Sequence, residues 1–518
     1  MILVSDWLAF HADRTPDKIA MIDQGTGRQF TYAQFNERAT RLATFMREAW
    51  GIQHGDRVAI LAKNSTDYFE FQFACFKLGA IMLPLNWRLA EPELLYILND
   101  ARPVGLVYGN DFTDSIAALV EQSPIQHCLR LDLGTAVTDD SPTFEDAIAA
   151  YEPTVVMSEQ ITHNTPCTIM YTSGTTGRPK GAIMTQGMTF WNAANISIPT
   201  GLNKDSVQYT VLPTFHTGGL NLYANPILHF GGTNIIAREF DPALTLKTLS
   251  DPDLGVTHFL GVPAIYLFLS QHPDFDQTDL SNIVSWGCGG APMPVALLKI
   301  YSERGIIIQP GFGMTETSPT VFLSDKRRSL EKPSSVGREM LHTRVKIVND
   351  DFKEMPIGEL GEIVLTGPNI TPGYWNRPDA NAASFTEDEH GARWLHSGDA
   401  GYRDDDGAIF VVDRYKDMYI SGGENVYPAE VEQVIHHLPT VGDVAVIGVP
   451  DEKWGESGLA IVVPAVGKTV TEDEIIEACR QNLAKFKVPK GVRFIDELPR
   501  NAAGKILKRE LKAQFGDA

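Results

Sequence analysis

The sequence predicts a large amino-terminal domain of parallel sheets covered by helices, followed by a small carboxy-terminal α+β domain. Three observations carry this reading. The chain has 518 residues, more than one hydrophobic core ordinarily serves. Its first half alternates strand-like and helix-like segments, the order of β-α-β units. The pattern changes after about residue 400, where a charged connector leads into a compact strand and helix series.

In chain order, Arg57 to Ala62 reads RVAILA, a short apolar run suited to a buried strand. Asp67 to Leu78 places Phe69, Phe73 and Phe76 at helical spacing, and Ala80 to Leu85 returns to strand. Val104 to Tyr108, Thr168 to Thr172 and Ile283 to Trp286 read as further strands. Later, Asp404 to Gly407 makes a turn and Ala408 to Val412 a strand. Asp413-Arg414-Tyr415-Lys416-Asp417 is the connector. A helix carrying Val431, Val434 and Ile435 follows, then a strand at Val444 to Val449 and a helix from Glu472 to Leu483. The expected domains are therefore 1–413 and 414–518. No fixed-period repeat interrupts this order.

Composition narrows the function classes. Lys and Arg number 44 against 65 Asp and Glu, a formal charge of -21, which opposes nucleic acid as the main partner. Nucleotide binding needs only local positive groups and stays open. The five cysteines (Cys75, Cys128, Cys167, Cys288 and Cys479) are scattered without a CxxC pair. That fits reduced thiols in a cytoplasmic protein and offers no metal site. Met1 to Phe10 lacks the pattern of a secretory signal. No apolar run reaches the roughly 18 residues needed to span a bilayer. Peripheral membrane contact and a homodimer both remain compatible with the sequence.

The strongest local signal is Tyr171-Thr172-Ser173-Gly174-Thr175-Thr176-Gly177-Arg178-Pro179-Lys180-Gly181. Glycines leave backbone amides uncovered, hydroxyls add donors, and Lys180 adds positive charge, which together make a phosphate cradle. A short run of this kind also fits an exposed hairpin turn. The apolar strand before it and the lysine after it favour phosphate. It is not a Walker A loop, because glycine follows Lys180. Further motifs follow in order: Pro213-Thr214-Phe215-His216-Thr217-Gly218-Gly219, Gly287-Cys288-Gly289-Gly290-Ala291-Pro292, Gly311-Phe312-Gly313-Met314-Thr315-Glu316, Ser397-Gly398-Asp399 and Pro499-Arg500-Asn501-Ala502-Ala503-Gly504-Lys505. Singly, His216 reads as a structural histidine, Ser397 to Asp399 as a common turn and Lys505 as a solvated surface lysine.

As a series they resemble the adenylate-forming superfamily: acyl-CoA synthetases, peptide-synthetase adenylation domains and beetle luciferases. The resemblance runs from about Trp7 to Leu511. It implies an ATP-dependent carboxylic acid–CoA ligase working through an acyl-adenylate, with ATP, Mg²⁺ and coenzyme A. Thr172 to Gly177 and Lys180 would hold phosphates. Gly290, Ala291 and Pro292, with Gly311, Phe312, Gly313 and Met314, would hold adenine. Thr315 would reach the α-phosphate and Glu316 would hold Mg²⁺, which is satisfied by one or two carboxylates plus phosphate oxygens. Asp399 and Arg414 would bind ribose.

The resemblance further implies that His216, Leu220, Asn221, Gly287, Cys288, Gly289, Met314 and Val321 line the acyl pocket. Lys505 would bridge the acid carboxylate and the phosphate during adenylation. Lys416 lies where the family's hinge is, so the carboxy-terminal domain is expected to be mobile. Ser421, Gly422 and Gly423 would then border a pantetheine tunnel, and Lys485 and Lys487 would meet CoA phosphates. Glycines at the pocket floor suggest depth, which opposes acetate. The segment Phe215 to Asn221 resembles both fatty acyl and hydroxycinnamate-type ligases, so the expected acid is a medium- or long-chain fatty acid, with an aryl acid of the 4-coumarate or ferulate type as the alternative. A stand-alone adenylation enzyme loading a carrier protein is the further alternative.

Overall fold

A computed structural model describes residues 2–132, 142–172, 179–414, 417–421, 424–451, 454–483, 485–500 and 506–516. The chain forms two compact units, one of residues 1–344 with 366–393 and one of residues 345–365 with 394–518.

The first unit holds two sheets. One has six strands in the order His127–Leu131, Gly105–Gly109, Arg57–Leu61, Ile81–Pro84, Pro166–Thr172, Lys180–Thr185. Its pairs are parallel except the last, which is antiparallel and sets Thr172 opposite Lys180. The second sheet has nine strands. At its centre Ile308–Gly313, Ser285–Cys288, His258–Gly261, Val207–Thr210, Thr233–Ile236 and Ile19–Asp23 run parallel side by side. The strands expected at 57–62, 80–85, 104–108, 168–172 and 283–286 all appear, with ends moved by at most two residues.

The helix Thr66–Leu78 is central. The Ser65 hydroxyl caps it by accepting from the Tyr68 amide at 3.3 Å. Gly79 ends it at φ 66°, where a Cβ would come within 2.5 Å of the His54 ring. Every position from Thr66 to Lys77 is buried, so its charged groups need partners. Glu70 accepts from Arg38 at 2.8 Å, and Lys77 donates to Asp6 at 2.5 Å and to Asn36 at 2.8 Å.

In the second unit, Gly361–Thr366, Arg393–Arg403 and Ile409–Arg414 form an antiparallel array. Beyond it, Glu424–Val426, Tyr419–Ser421, Gly455–Pro464 and Val441–Asp451 make a sheet in that order, with Gly491–Phe494 added parallel to Gly455–Pro464. Side chains alternate across it. Val444, Val446, Ala460 and Val462 pack with Val431 and Ile435 of Pro428–His436 and with Ile475 and Cys479 of Glu472–Asn482. Ala445, Ile447, Leu459 and Ile461 pack with Leu498 and with Leu511 of Lys508–Phe515. This is the α+β series read from the sequence. All five cysteines are free, and no helix among the described residues is long and apolar enough to cross a membrane.

Candidate active site

The segment expected to cradle phosphate joins Pro166–Thr172 to Lys180–Thr185. Ser173, Gly174, Thr175, Thr176, Gly177 and Arg178 lie outside the described residues. The flanks are placed: the Thr172 hydroxyl donates to the Lys180 carbonyl at 3.4 Å, and the Lys180 ammonium stands 5.2 Å from the centre of the Tyr374 ring.

Nothing in the local sequence marks Tyr374. It belongs to Thr371-Pro372-Gly373-Tyr374-Trp375, which lies along the outer edge of the strand Lys180–Thr185. The Ile183 amide donates to the Gly373 carbonyl at 3.0 Å and the Trp375 amide to the Gly181 carbonyl at 2.8 Å. On its other side the Thr371 amide donates to the Glu316 carbonyl at 2.7 Å. The Tyr374 hydroxyl donates to Glu316 Oε1 at 2.8 Å. One ring therefore stands between the cation beside the loop expected to hold phosphate and the carboxylate expected to hold metal.

Glu316 sits on the 3₁₀ turn Thr315–Thr317 and is 6% exposed. The turn is tight: a Cβ at Gly313 would lie 1.8 Å from the Pro319 carbonyl oxygen, and the Met314 amide donates to Thr317 Oγ1 at 2.9 Å. Thr315 is half-buried on the same turn. Among the described residues no group of three or more His, Cys, Asp or Glu could hold a metal alone. A single ordered carboxylate fits Mg²⁺ that takes its other ligands from phosphate and water. Phe312, the aromatic of this motif, is half-buried with its ring 5.7 Å from Phe322. Gly290, Ala291 and Pro292 are exposed at the end of Ser285–Cys288.

His216 is held by a braced loop. Asn64 Oδ1 accepts from the Thr214 amide at 2.9 Å and from its hydroxyl at 3.0 Å, while Asn64 Nδ2 donates to the Leu212 carbonyl at 2.9 Å. The Phe215 ring lies 4.6 Å from the imidazole. Burial, and secondarily the charge of Arg88, push His216 down to about 4, so it is neutral at physiological pH. Its Nε2 is buried and has no hydrogen-bond partner among the described residues. After it, Leu220 and Asn221 are buried. Asn221 accepts from Asn225 at 2.7 Å and donates to Thr217 at 3.2 Å. Cys288 is buried with its thiol on Met293 Sδ, and Val321 is fully buried.

Two more buried histidines behave like His216. Burial brings His229 and His258 to about 4 as well. In the unfolded chain all three titrate near 6.5. Between those values the unfolded state binds more protons, so stability falls as pH drops from 6.5 toward 4. The expected result is a melting temperature that declines steadily across that window. His229→Gln and His258→Gln should flatten the decline, and an unchanged slope in both would contradict this cause.

In the second unit Ser397-Gly398-Asp399 lies within the strand Arg393–Arg403 rather than in the turn that the triplet alone suggests, and it is fixed by Glu362, which accepts from the Gly398 amide at 3.0 Å and meets His396 Nδ1 at 2.7 Å. Gly398 takes φ 71°. Asp399 is 6% exposed, and its backbone pairs in register with Arg414. Ser421 is buried, Lys487 ion-pairs with Glu430, and Lys485 is exposed. Lys416, Gly422, Gly423 and Lys505 lie outside the described residues, as does the Arg414 side chain.

Comparison with known proteins decides the family. Residues 8–375 match the AMP-binding enzyme family, and residues 430–505 match the AMP-binding enzyme C-terminal domain. The chain belongs to the AMP-binding enzyme family. A feruloyl-CoA synthase of an Amycolatopsis species is 40% identical to this AMP-binding enzyme over 99% of both chains. The long-chain-fatty-acid–CoA ligase FadD13 of Mycobacterium tuberculosis is 37% identical over 97% of this chain and 96% of that protein. The crystal structure of ATP-bound MatB from Rhodopseudomonas palustris is 31% identical with a TM-score of 0.89, covering 99% of each chain. This AMP-binding enzyme is an acid–thiol ligase of the acyl-CoA synthetase kind. ATP, Mg²⁺ and coenzyme A are the ligands of that chemistry.

Proposed function

We propose that this ligase activates an aryl carboxylic acid of the hydroxycinnamate type and transfers it to coenzyme A. One observation carries the choice of acid. Just beyond the strand Ser285–Cys288, Gly289 leaves its face open, a Cβ there meeting nothing nearer than the Gly311 carbonyl oxygen at 3.6 Å, and the Tyr223 phenol closes that face at Gly287. A flat conjugated ring lies against such a face with more contact than a flexible chain does. The remaining wall candidates, Leu220, Asn221, Cys288, Met314 and Val321, carry no charge, and His216 is neutral. A second carboxylate, as in 2-succinylbenzoate, would find no cation among them. The likeness to a feruloyl-CoA synthase supports the same acid class. The likeness to FadD13 favours a second reading, a medium- or long-chain fatty acid.

In the first half-reaction a carboxylate oxygen attacks the α-phosphorus of ATP and the bond to pyrophosphate breaks. In the second, the thiol of CoA attacks the acyl carbonyl and AMP leaves. Mg²⁺, when bound, would supply positive charge that lets the two anions approach. Lys180 and Lys505 would add fixed cations, and Glu316 would orient the metal, with its own position set by Tyr374. His216 would face the acid as a neutral hydrogen-bond donor. Asp399 and Arg414 would hold the ribose. Residues 414–518 would turn between steps about Lys416, bringing Ser421, Gly422 and Gly423 to the thiol path, with Lys485 and Lys487 toward CoA phosphate.

The deciding experiment is a panel of ferulate, 4-coumarate, benzoate, octanoate and hexadecanoate, scored for pyrophosphate release and for CoA-dependent AMP release. Aryl acids should give the largest kcat/KM. Turnover confined to the aliphatic acids would replace this reading with the second one. Adenylate formation without CoA-dependent AMP release would point to a carrier-protein thiol.

A further inference from the structure

The wall formed by Ser285–Cys288 and the residues after it is open at one glycine and filled at another. Residues 285, 287 and 289 share one face of the strand, because side chains alternate. At Gly289 a Cβ would meet nothing nearer than the Gly311 carbonyl oxygen at 3.6 Å, an ordinary contact. At Gly287 a Cβ would lie 2.6 Å from the Tyr223 hydroxyl, 3.1 Å from Tyr223 Cζ and 3.0 Å from Leu260 Cδ1. The glycine at 287 therefore does not open a channel. The space its side chain would take is held by the phenol of Tyr223.

That phenol is fixed. Tyr223 is 1% exposed and packs with Ile196, Leu202, Ile227, Leu260 and Met340. Its hydroxyl lies 3.1 Å from Ser285 Oγ, which lies 3.4 Å from Gln309 Oε1. His258 meets the ring edge-on at 6.0 Å between centroids. The residue arrives at the end of the π-helical turn Gly218–Leu222, which begins two residues after His216. One loop thus delivers both the histidine expected at the carboxylate and the tyrosine across the glycine floor.

We propose that Tyr223 is the end wall of the acid pocket and the residue that limits acid length. The proposal rests on the reading that Gly289 faces the bound acid. Along a strand, two residues span about 6.6 Å. A group lying over Gly289 therefore meets the phenol within one such step. Aryl and short acyl groups fit that depth, and a long alkyl chain does not. On this proposal the pocket is shallower than the glycines alone suggest, because Tyr223, between Gly218–Leu222 and Ala224–Phe230, supplies the bulk.

The test compares the full-length enzyme with Tyr223→Ala and Tyr223→Phe on a straight-chain series from butanoate to hexadecanoate, with ferulate and benzoate included. In the native enzyme, kcat/KM should fall sharply beyond short chains. In Tyr223→Ala the ratio of dodecanoate to hexanoate should rise about tenfold or more. In Tyr223→Phe, which keeps the ring, that ratio should stay within about twofold of native. Tyr223→Leu removes the far end of the ring while keeping an apolar core residue, and should shift the cutoff in the same direction if the alanine variant does not fold. A native enzyme that turns over hexadecanoate as well as hexanoate overturns the proposal. So does a folded alanine or leucine variant with an unmoved cutoff, folding being read from its melting transition. A native profile that ends at short aliphatic acids, without aryl turnover, supports the end wall and overturns only the aryl assignment.

Discussion

Lys505→Ala should slow acyl-adenylate formation by about 100-fold or more. The reason is electrostatic. A carboxylate must approach a polyanion, and the repulsion persists until the pyrophosphate bond has lengthened. A cation already in place at that moment stabilises the transition state without reorganisation, and its effect is strengthened where water is excluded. Acid-dependent exchange of pyrophosphate into ATP measures this step alone. Thioester formation from a preformed adenylate should be nearly unchanged in the same variant, since no phosphate charge has to be overcome there. Exchange at the native rate would remove Lys505 from the chemistry.

Glu316→Gln should be comparably damaging, by about 100-fold in adenylation, and should raise the Mg²⁺ concentration needed for half-maximal rate. The substitution is close to isosteric. Its amide oxygen can still accept from the Tyr374 hydroxyl, now 2.8 Å from the carboxylate, so the turn keeps its anchor and loses only the charge. Tyr374→Phe makes the complementary change. It leaves a buried carboxylate without one of its donors, a loss of about 1–3 kcal/mol. Adenylation should therefore slow by about tenfold, with a smaller shift in Mg²⁺ dependence. A glutamine variant with native Mg²⁺ dependence would exclude Glu316 as a metal-holding residue.

What was legible in the sequence was whatever is written locally. The buried strands at Arg57–Leu61 and Ile81–Pro84 are short apolar runs, and the phenylalanines of Thr66–Leu78 repeat at helical spacing. The glycine and hydroxyl content around Lys180 marks its loop. Partners far apart in the chain left no such trace. Tyr374 is 58 residues from Glu316, and Asn64 is 150 residues from Thr214. Nothing in the Thr371-Pro372-Gly373-Tyr374-Trp375 turn announces a carboxylate, because the pairing depends on which strand edge the segment lies along. Tyr223 leaves no local mark for a related reason. A tyrosine in an apolar run reads as core, and its close approach to Gly287 is set by tertiary packing that the local sequence does not record. The short strands Val207–Thr210, Thr233–Ile236 and His258–Gly261 are too brief for periodicity to separate them from helix.

The segment around Tyr374 has a consequence for solubility. Lys180–Thr185 is the last strand of its sheet, and an uncovered last strand offers unpaired amides and carbonyls to any passing chain. Here the amides of Ile183 and Trp375 and the carbonyls of Gly181 and Gly373 satisfy one another across that border. The same few residues that steady Glu316 therefore deny a foreign strand its template, and changes that loosen them expose the border to self-association as well as slowing the enzyme.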